Sequence, residues 1–108
     1  MTLPGQILDI DLRQGTWTRS PFPEELIRKI LGGRGFNVWF LYHHLPAKMD
    51  PLDPENILLF SCGLLTGTAA PASSRLHVNA LSPLTGLLGS SNTGGKFGVA
   101  LRACNIQP

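Results

Sequence analysis

The sequence predicts an α+β fold: antiparallel β-sheet carrying a few short helices. Three features point there. Gln6–Leu12 and Arg75–Leu81 alternate apolar and polar residues with period two, the mark of half-buried strands. Residues 23–31 and 34–45 instead place apolar residues at helical spacing. Twelve glycines and nine prolines in 108 residues, against a combined average of roughly 12%, divide the chain into short elements with many turns.

The elements follow in order. Leu8, Ile10 and Leu12 share one face of the first strand, with Asp9 and Asp11 on the other. Gln14-Gly15 supplies a turn, and Thr16-Trp17-Thr18-Arg19 returns as a strand of good β formers, so a hairpin with one wet face is expected. Pro21 and Pro23 stop it. Pro23 suits a helix start, where its missing N–H costs nothing. Glu24 and Glu25 then fall in the first turn and Arg28 and Lys29 near the end, matching the helix dipole. Leu26, Ile27, Ile30 and Leu31 form the apolar stripe, and Gly32-Gly33 ends the helix.

Arg34–Leu45 reads as a second helix. Phe36, Trp39, Phe40 and His43 lie on one stripe, with Val38, Leu41 and Tyr42 at its sides; it should be largely buried, and Pro46 closes it. After the turn signals Asp50-Pro51 and Asp53-Pro54, the unbroken run Ile57–Phe60 suggests a strand buried on both faces. Gly63–Ser74 is a long loop of small and polar residues, a length more often functional than decorative. In the strand Arg75–Leu81, the residues Leu76, Val78 and Ala80 face one way and Arg75, His77 and Asn79 the other. Ser82-Pro83 and Thr85-Gly86 make turns. Phe97, Ala100, Leu101 and Cys104 form a last helical stripe, and Ile106 begins a further strand, so the 108 residues read as a single domain cut from a longer polypeptide.

Composition sets bounds. The 43% apolar and 15% charged residues indicate an ordered core. A net charge of +2 without a basic run argues against nucleic acid or an anionic membrane as partner. The start lacks a signal peptide's pattern, and no stretch nears the ~20 apolar residues of a membrane span, so a cytoplasmic location is expected. Cys62 and Cys104 each sit in an apolar setting and are expected buried and unpaired. No Cys/His spacing suits zinc or a cysteine-bound cluster. His43 and His44 read as helix-end histidines, and Trp17 and Trp39 as core or sheet cover.

The stretch most suggestive of chemistry is Gly86–Gly98, with five glycines among small polar residues before a helix start. Glycine lets main-chain N–H groups reach a ligand, and free N–H groups at a helix start favour an anion. A phosphate-binding loop and an ordinary surface loop both fit that pattern.

Three motifs in order carry a resemblance: Leu31-Gly32-Gly33-Arg34-Gly35; Gly63-Leu64-Leu65-Thr66-Gly67-Thr68 leading through Pro71 to Ser74-Arg75; and Ser82-Pro83-Leu84-Thr85-Gly86 running into Ser91–Gly98. From about Gln6 to Leu101 the chain resembles the N-terminal domain of the tungsten-containing aldehyde ferredoxin oxidoreductases. The resemblance implies a two-sheet domain forming the base under a tungsten or molybdenum bis-pterin cofactor. The whole enzyme would oxidise aldehydes to carboxylic acids and pass electrons to ferredoxin, with a [4Fe–4S] cluster held by cysteines outside this stretch. Arg75 matches an arginine between pterin and cluster. Asn92 matches an asparagine whose main-chain carbonyl helps hold a magnesium ion bridging the pterin phosphates. Thr93, Gly94 and Gly95 match the stretch where backbone meets pterin. These roles suit the residues: arginine offers a fixed fork of donors, asparagine an oxygen ligand, and Gly94-Gly95 free backbone donors. Lys96 replaces an aromatic or histidine common in the family, and either attracts phosphate or is solvated. No residue reads as a catalytic base. The alternative is a non-catalytic module that binds or self-associates through an uncovered apolar face.

Overall fold

A computed structural model of the chain describes residues 5–106. Its elements are β1 (Gln6–Asp11), β2 (Thr16–Pro21), α1 (Glu24–Ile30), α2 (Gly33–His44), β3 (Leu59–Cys62), β4 (Leu76–Leu81), β5 (Leu88–Thr93) and α3 (Phe97–Ala103). β1 and β2 form a two-stranded antiparallel sheet. β3, β4 and β5 form a second antiparallel sheet with β4 at its centre. The predicted α+β class, with two small antiparallel sheets, is what the chain adopts.

The hairpin forms, with Ile10 opposite Trp17 and Leu8 opposite Arg19. Its apolar face is nevertheless the uncovered one. Ile10 is 56% and Trp17 66% exposed, and the Arg19 guanidinium lies over the Trp17 ring at 5.9 Å. The contact to the core comes from Ile7, on the face assigned to Asp9 and Asp11. Trp17 is therefore not a core residue among the described residues.

α1 ends as its charges dictate, with Glu24–Arg28 and Glu25–Lys29 pairs one turn apart. The reversal is made by three consecutive positive-φ residues, Leu31 (63°), Gly32 (100°) and Gly33 (59°). The left-handed position thus begins on a leucine, where it costs roughly 1–2 kcal/mol. The core lies where the hairpin, α1 and α2 meet: Phe22, Ile27 and Phe36 are buried, with Ile30, Trp39 and Phe40 packed around them. The Phe22 and Phe36 rings are 4.6 Å apart. α2 is one-sided rather than largely buried, because Val38 and Tyr42 face outward. At its end His43 Nδ1 and His44 Nδ1 bond the carbonyls of Trp39 and Phe40, at 2.7 and 2.8 Å. Both are helix-end histidines as expected.

The second sheet departs from expectation in two places. β3 begins at Leu59, two residues after the apolar run does, and Leu58 and Phe60 are exposed, so the strand is not buried on both faces. The glycine-rich stretch is not one loop: Leu88–Thr93 is a strand paired with β4 through its whole length. Only Gly94–Lys96 remains as a turn before α3. Cys62 is fully buried, against α3 at Gly98; burial raises its thiol pKa, slightly offset by Arg102. Cys104 is exposed, contrary to its apolar spacing, because it caps α3 at the surface. Ile106 makes a parallel bridge to Gln6. No helix among the described residues is long and apolar enough to cross a membrane.

Candidate functional site

The register of the second sheet decides which polar residues meet. Ser61, His77 and Asn92 stand in one row across β3, β4 and β5; Leu59, Asn79 and Ser90 stand in the next. Arg75 precedes β4 and shares the parity of His77. α2 covers this face at one end only. Asn37 from α2 and Asn79 from β4 are 0% and 1% exposed, joined by a 2.9 Å bond from Asn37 Nδ2 to Asn79 Oδ1. Asn79 Nδ2 donates onward to the Gly89 carbonyl on β5 at 3.1 Å. This amide ladder ties the helix to the central strand at Asn79 and that residue to the outer strand at Gly89. It was missed in the sequence, where Asn37 sits beside a helical stripe and Asn79 on a face expected to be wet.

The other end of the same face is open. There Arg75 Nη1 donates to Asn92 Oδ1 at 3.0 Å. Asn92 Nδ2 lies 3.0 Å from His77 Nδ1 and 3.2 Å from His77 Nε2. Burial first, then the charges of Arg34 and Arg75, hold the His77 pKa below the usual imidazole value. The amide nitrogen is nearly equidistant from the two ring nitrogens, so it lies over the imidazole rather than beside one of them. His77 packs against the start of α2, where a Cβ on Gly33 would lie 3.4 Å from its ring.

These residues border a groove of about 320 Å³ lined by Leu31, Gly63–Thr66, Ser73, Arg75 and His77. The long loop forms its wall and is well tied: Thr66 N–H donates to Gly63 at 3.0 Å, and Arg102 Nη1 reaches back from α3 to the Leu64 carbonyl at 2.8 Å. Ser73 donates to the Ala70 carbonyl at 2.7 Å, which is a turn role.

The sequence-predicted residues thus divide. Arg75 and Asn92 are brought into contact. Thr93 ends β5, with its hydroxyl 3.2 Å from the Gly94 carbonyl. Gly94 and Gly95 follow at the sheet's outer corner, and nothing lies within 4 Å of a Cβ built on either. Gly95 has φ +113°, a conformation that side chains disfavour. β5 is an edge strand, so one row of its main-chain groups is unpaired within this sheet. Lys96 is exposed at the head of α3. Among the described residues, no three His, Cys, Asp or Glu side chains come together as a metal site. Asn37 Oδ1 and Ser61 Oγ are buried without a hydrogen-bond partner there.

Fold and groove together define an α+β domain that offers arginine and main-chain donors at an open sheet corner. The chain belongs to the aldehyde ferredoxin oxidoreductase N-terminal domain family, whose profile matches residues 7–107. It is 46% identical over 98 residues to the tungsten-containing aldehyde ferredoxin oxidoreductases of Pyrococcus horikoshii and Pyrococcus abyssi, covering 91% of this chain and 16% of each relative. An aliphatic sulfonate oxidoreductase WOR-like subunit of Pyrococcus furiosus is 38% identical over 66 residues, covering 58% of this chain and 11% of the relative. A solved active-site complex BamBC of benzoyl coenzyme A reductase, with 1,5-dienoyl-CoA, superimposes with a TM-score of 0.92 at 34% identity, covering 95% of this chain and 16% of that one. The chain therefore spans about a sixth of the length of the relatives it matches.

Proposed function

We propose that this domain is the pterin-cradling part of a tungsten or molybdenum bis-pterin oxidoreductase that converts aldehydes to carboxylic acids with ferredoxin as electron acceptor. The observation that carries the reading is the contact between Arg75 and Asn92, two residues before the open Gly94-Gly95 turn. The residues fit an anionic heterocycle. The corner has room where any side chain would intrude, and a guanidinium beside it uses one of its five N–H groups on Asn92, leaving the rest for an acceptor. Arg75 would lie against the pterin, on the side toward an iron–sulfur cluster whose ligands lie elsewhere in the polypeptide. Gly94 and Gly95 would give main-chain donors to phosphate, with Thr93 orienting the turn. The Asn92 main-chain carbonyl would serve magnesium, a cation that takes oxygen ligands.

When bound, the metal–dithiolene group supplies the two-electron oxidation; the domain's residues bind and orient it. An aldehyde substrate is favoured because the aldehyde ferredoxin oxidoreductases are 46% identical over 98 residues, against 34% for the benzoyl coenzyme A reductase structure and 38% over 66 residues for the sulfonate oxidoreductase. The self-association reading keeps one supporting observation, the uncovered Ile10–Trp17 face; on the proposed function, later parts of the polypeptide cover it. A cytoplasmic location goes with ferredoxin as acceptor. The test is to purify the full-length protein anaerobically from a host that makes the cofactor, and to measure tungsten, molybdenum and pterin. Stoichiometric metal with two pterins supports the reading. Their absence overturns it.

A further inference from the structure

We propose that His77 is a positioning residue: through the Asn92 amide it fixes the direction in which Arg75 presents its guanidinium. The geometry is on the sheet itself. An asparagine amide on an edge strand has two orientations, related by a half-turn, that exchange oxygen and nitrogen. Arg75 is donor-only and needs Oδ1, which it meets at 3.0 Å. That contact alone still leaves Nδ2 without a defined neighbour. His77 supplies it, with ring nitrogens 3.0 and 3.2 Å away. Arg75 selects the orientation that presents Oδ1, and in that orientation Nδ2 rests on the His77 ring.

His77 is itself well held. It lies on the central strand, in register with Ser61 and Asn92. Its ring lies at the head of α2, where a Cβ on Gly33 would make ordinary contact with it at 3.4 Å. Its carbonyl receives a long contact from Asn37 Nδ2 at 3.5 Å. Rigidity therefore passes from α2 and β4, through one imidazole and one amide, to a side chain with four rotatable bonds. Neither the sequence motifs nor the family match assigns His77 this role. Its consequence for a bound pterin rests on the function proposed above; the positioning itself does not.

The test uses the full-length protein labelled with 15N at arginine and asparagine, comparing wild type with His77→Gln and His77→Phe. Glutamine keeps an acceptor at that position. Phenylalanine keeps a ring and removes the acceptor. NMR reads the Asn92 side-chain NH2 and the Arg75 guanidinium N–H groups. The expected result is about tenfold faster exchange of the Arg75 Nη1 protons with water in His77→Phe, the loss of one hydrogen bond. The Asn92 NH2 resonances should lose their hydrogen-bonded shift in the same variant. Both signatures should return largely to wild type in His77→Gln. Thermal unfolding of the two variants should match, which removes folding as the cause. Unchanged Arg75 protons in His77→Phe overturn the proposal. So does equal impairment in both variants, because a merely structural histidine would not be rescued by glutamine. A wild-type protein that holds no pterin overturns the proposed function while the NMR comparison still decides His77.

Discussion

Asn37 and Asn79 are joined by a 2.9 Å hydrogen bond between buried side chains, one from the helix and one from the central strand. This pair fixes the distance between α2 and the sheet that carries the site. Removing one partner strands the other's polar atoms in the interior, at about 1–3 kcal/mol. Asn37→Ala and Asn79→Val should each lower unfolding stability by that amount in urea titrations. The double variant should cost clearly less than the sum, since neither amide is then left facing a missing partner. Additive losses would show that the bond contributes nothing beyond packing.

Gly94 and Gly95 separate backbone need from ligand need. Neither would suffer a clash on gaining a Cβ, but only Gly95 has positive φ. Gly95→Ala should cost about 1–3 kcal/mol through backbone strain. Gly94→Ala should unfold at the wild-type temperature and yet lower the pterin retained by the purified protein. Differential scanning calorimetry and pterin assay on the same samples check both.

Leu31 occupies a left-handed conformation while its side chain is largely exposed. Glycine there should relieve strain and raise stability by roughly 0.5–1 kcal/mol, measured by denaturant unfolding. A fall would mean that contacts of the leucine side chain outweigh the strain.

The two cysteines should behave oppositely. Cys104 should react with a thiol reagent in the native protein, and Cys62 only on unfolding. Burial raises the Cys62 pKa above its ordinary value of 9.0. The sign follows: the unfolded chain loses this proton first, so the contribution is full below pH 9.0 and declines as pH rises toward the folded-state value. Wild type should therefore lose stability above that pH more steeply than Cys62→Ala.

Much of the fold was legible because its punctuation is local. Pro23, Pro46 and the charges of α1 mark helix ends by mechanisms internal to each helix. β5 was not legible, because Gly89-Ser90-Ser91-Asn92 has poor strand propensity and is a strand only by pairing with β4. Alternation placed Arg75, His77 and Asn79 on one face, and that face exists. The sequence had no signal that α2 would cover Asn79 while leaving Arg75 open, since that depends on where a helix 40 residues away comes to lie. The exposed Ile10 and Trp17 mislead for a related reason: periodicity reports which face is apolar, not what covers it. Arg75 and Asn92 were singled out by motif; their contact, and the histidine that completes it, emerged only from the register.

The most direct measurement is the pterin content of full-length Arg75→Ala protein purified anaerobically beside wild type, with thermal unfolding recorded for both. Arg75 is exposed and its guanidinium bonds the Asn92 amide, so the fold should survive the change. The account predicts equal unfolding temperatures and a fall in retained pterin of about tenfold or more, as expected for a lost charge-assisted contact. Pterin content unchanged from a pterin-loaded wild type would contradict it.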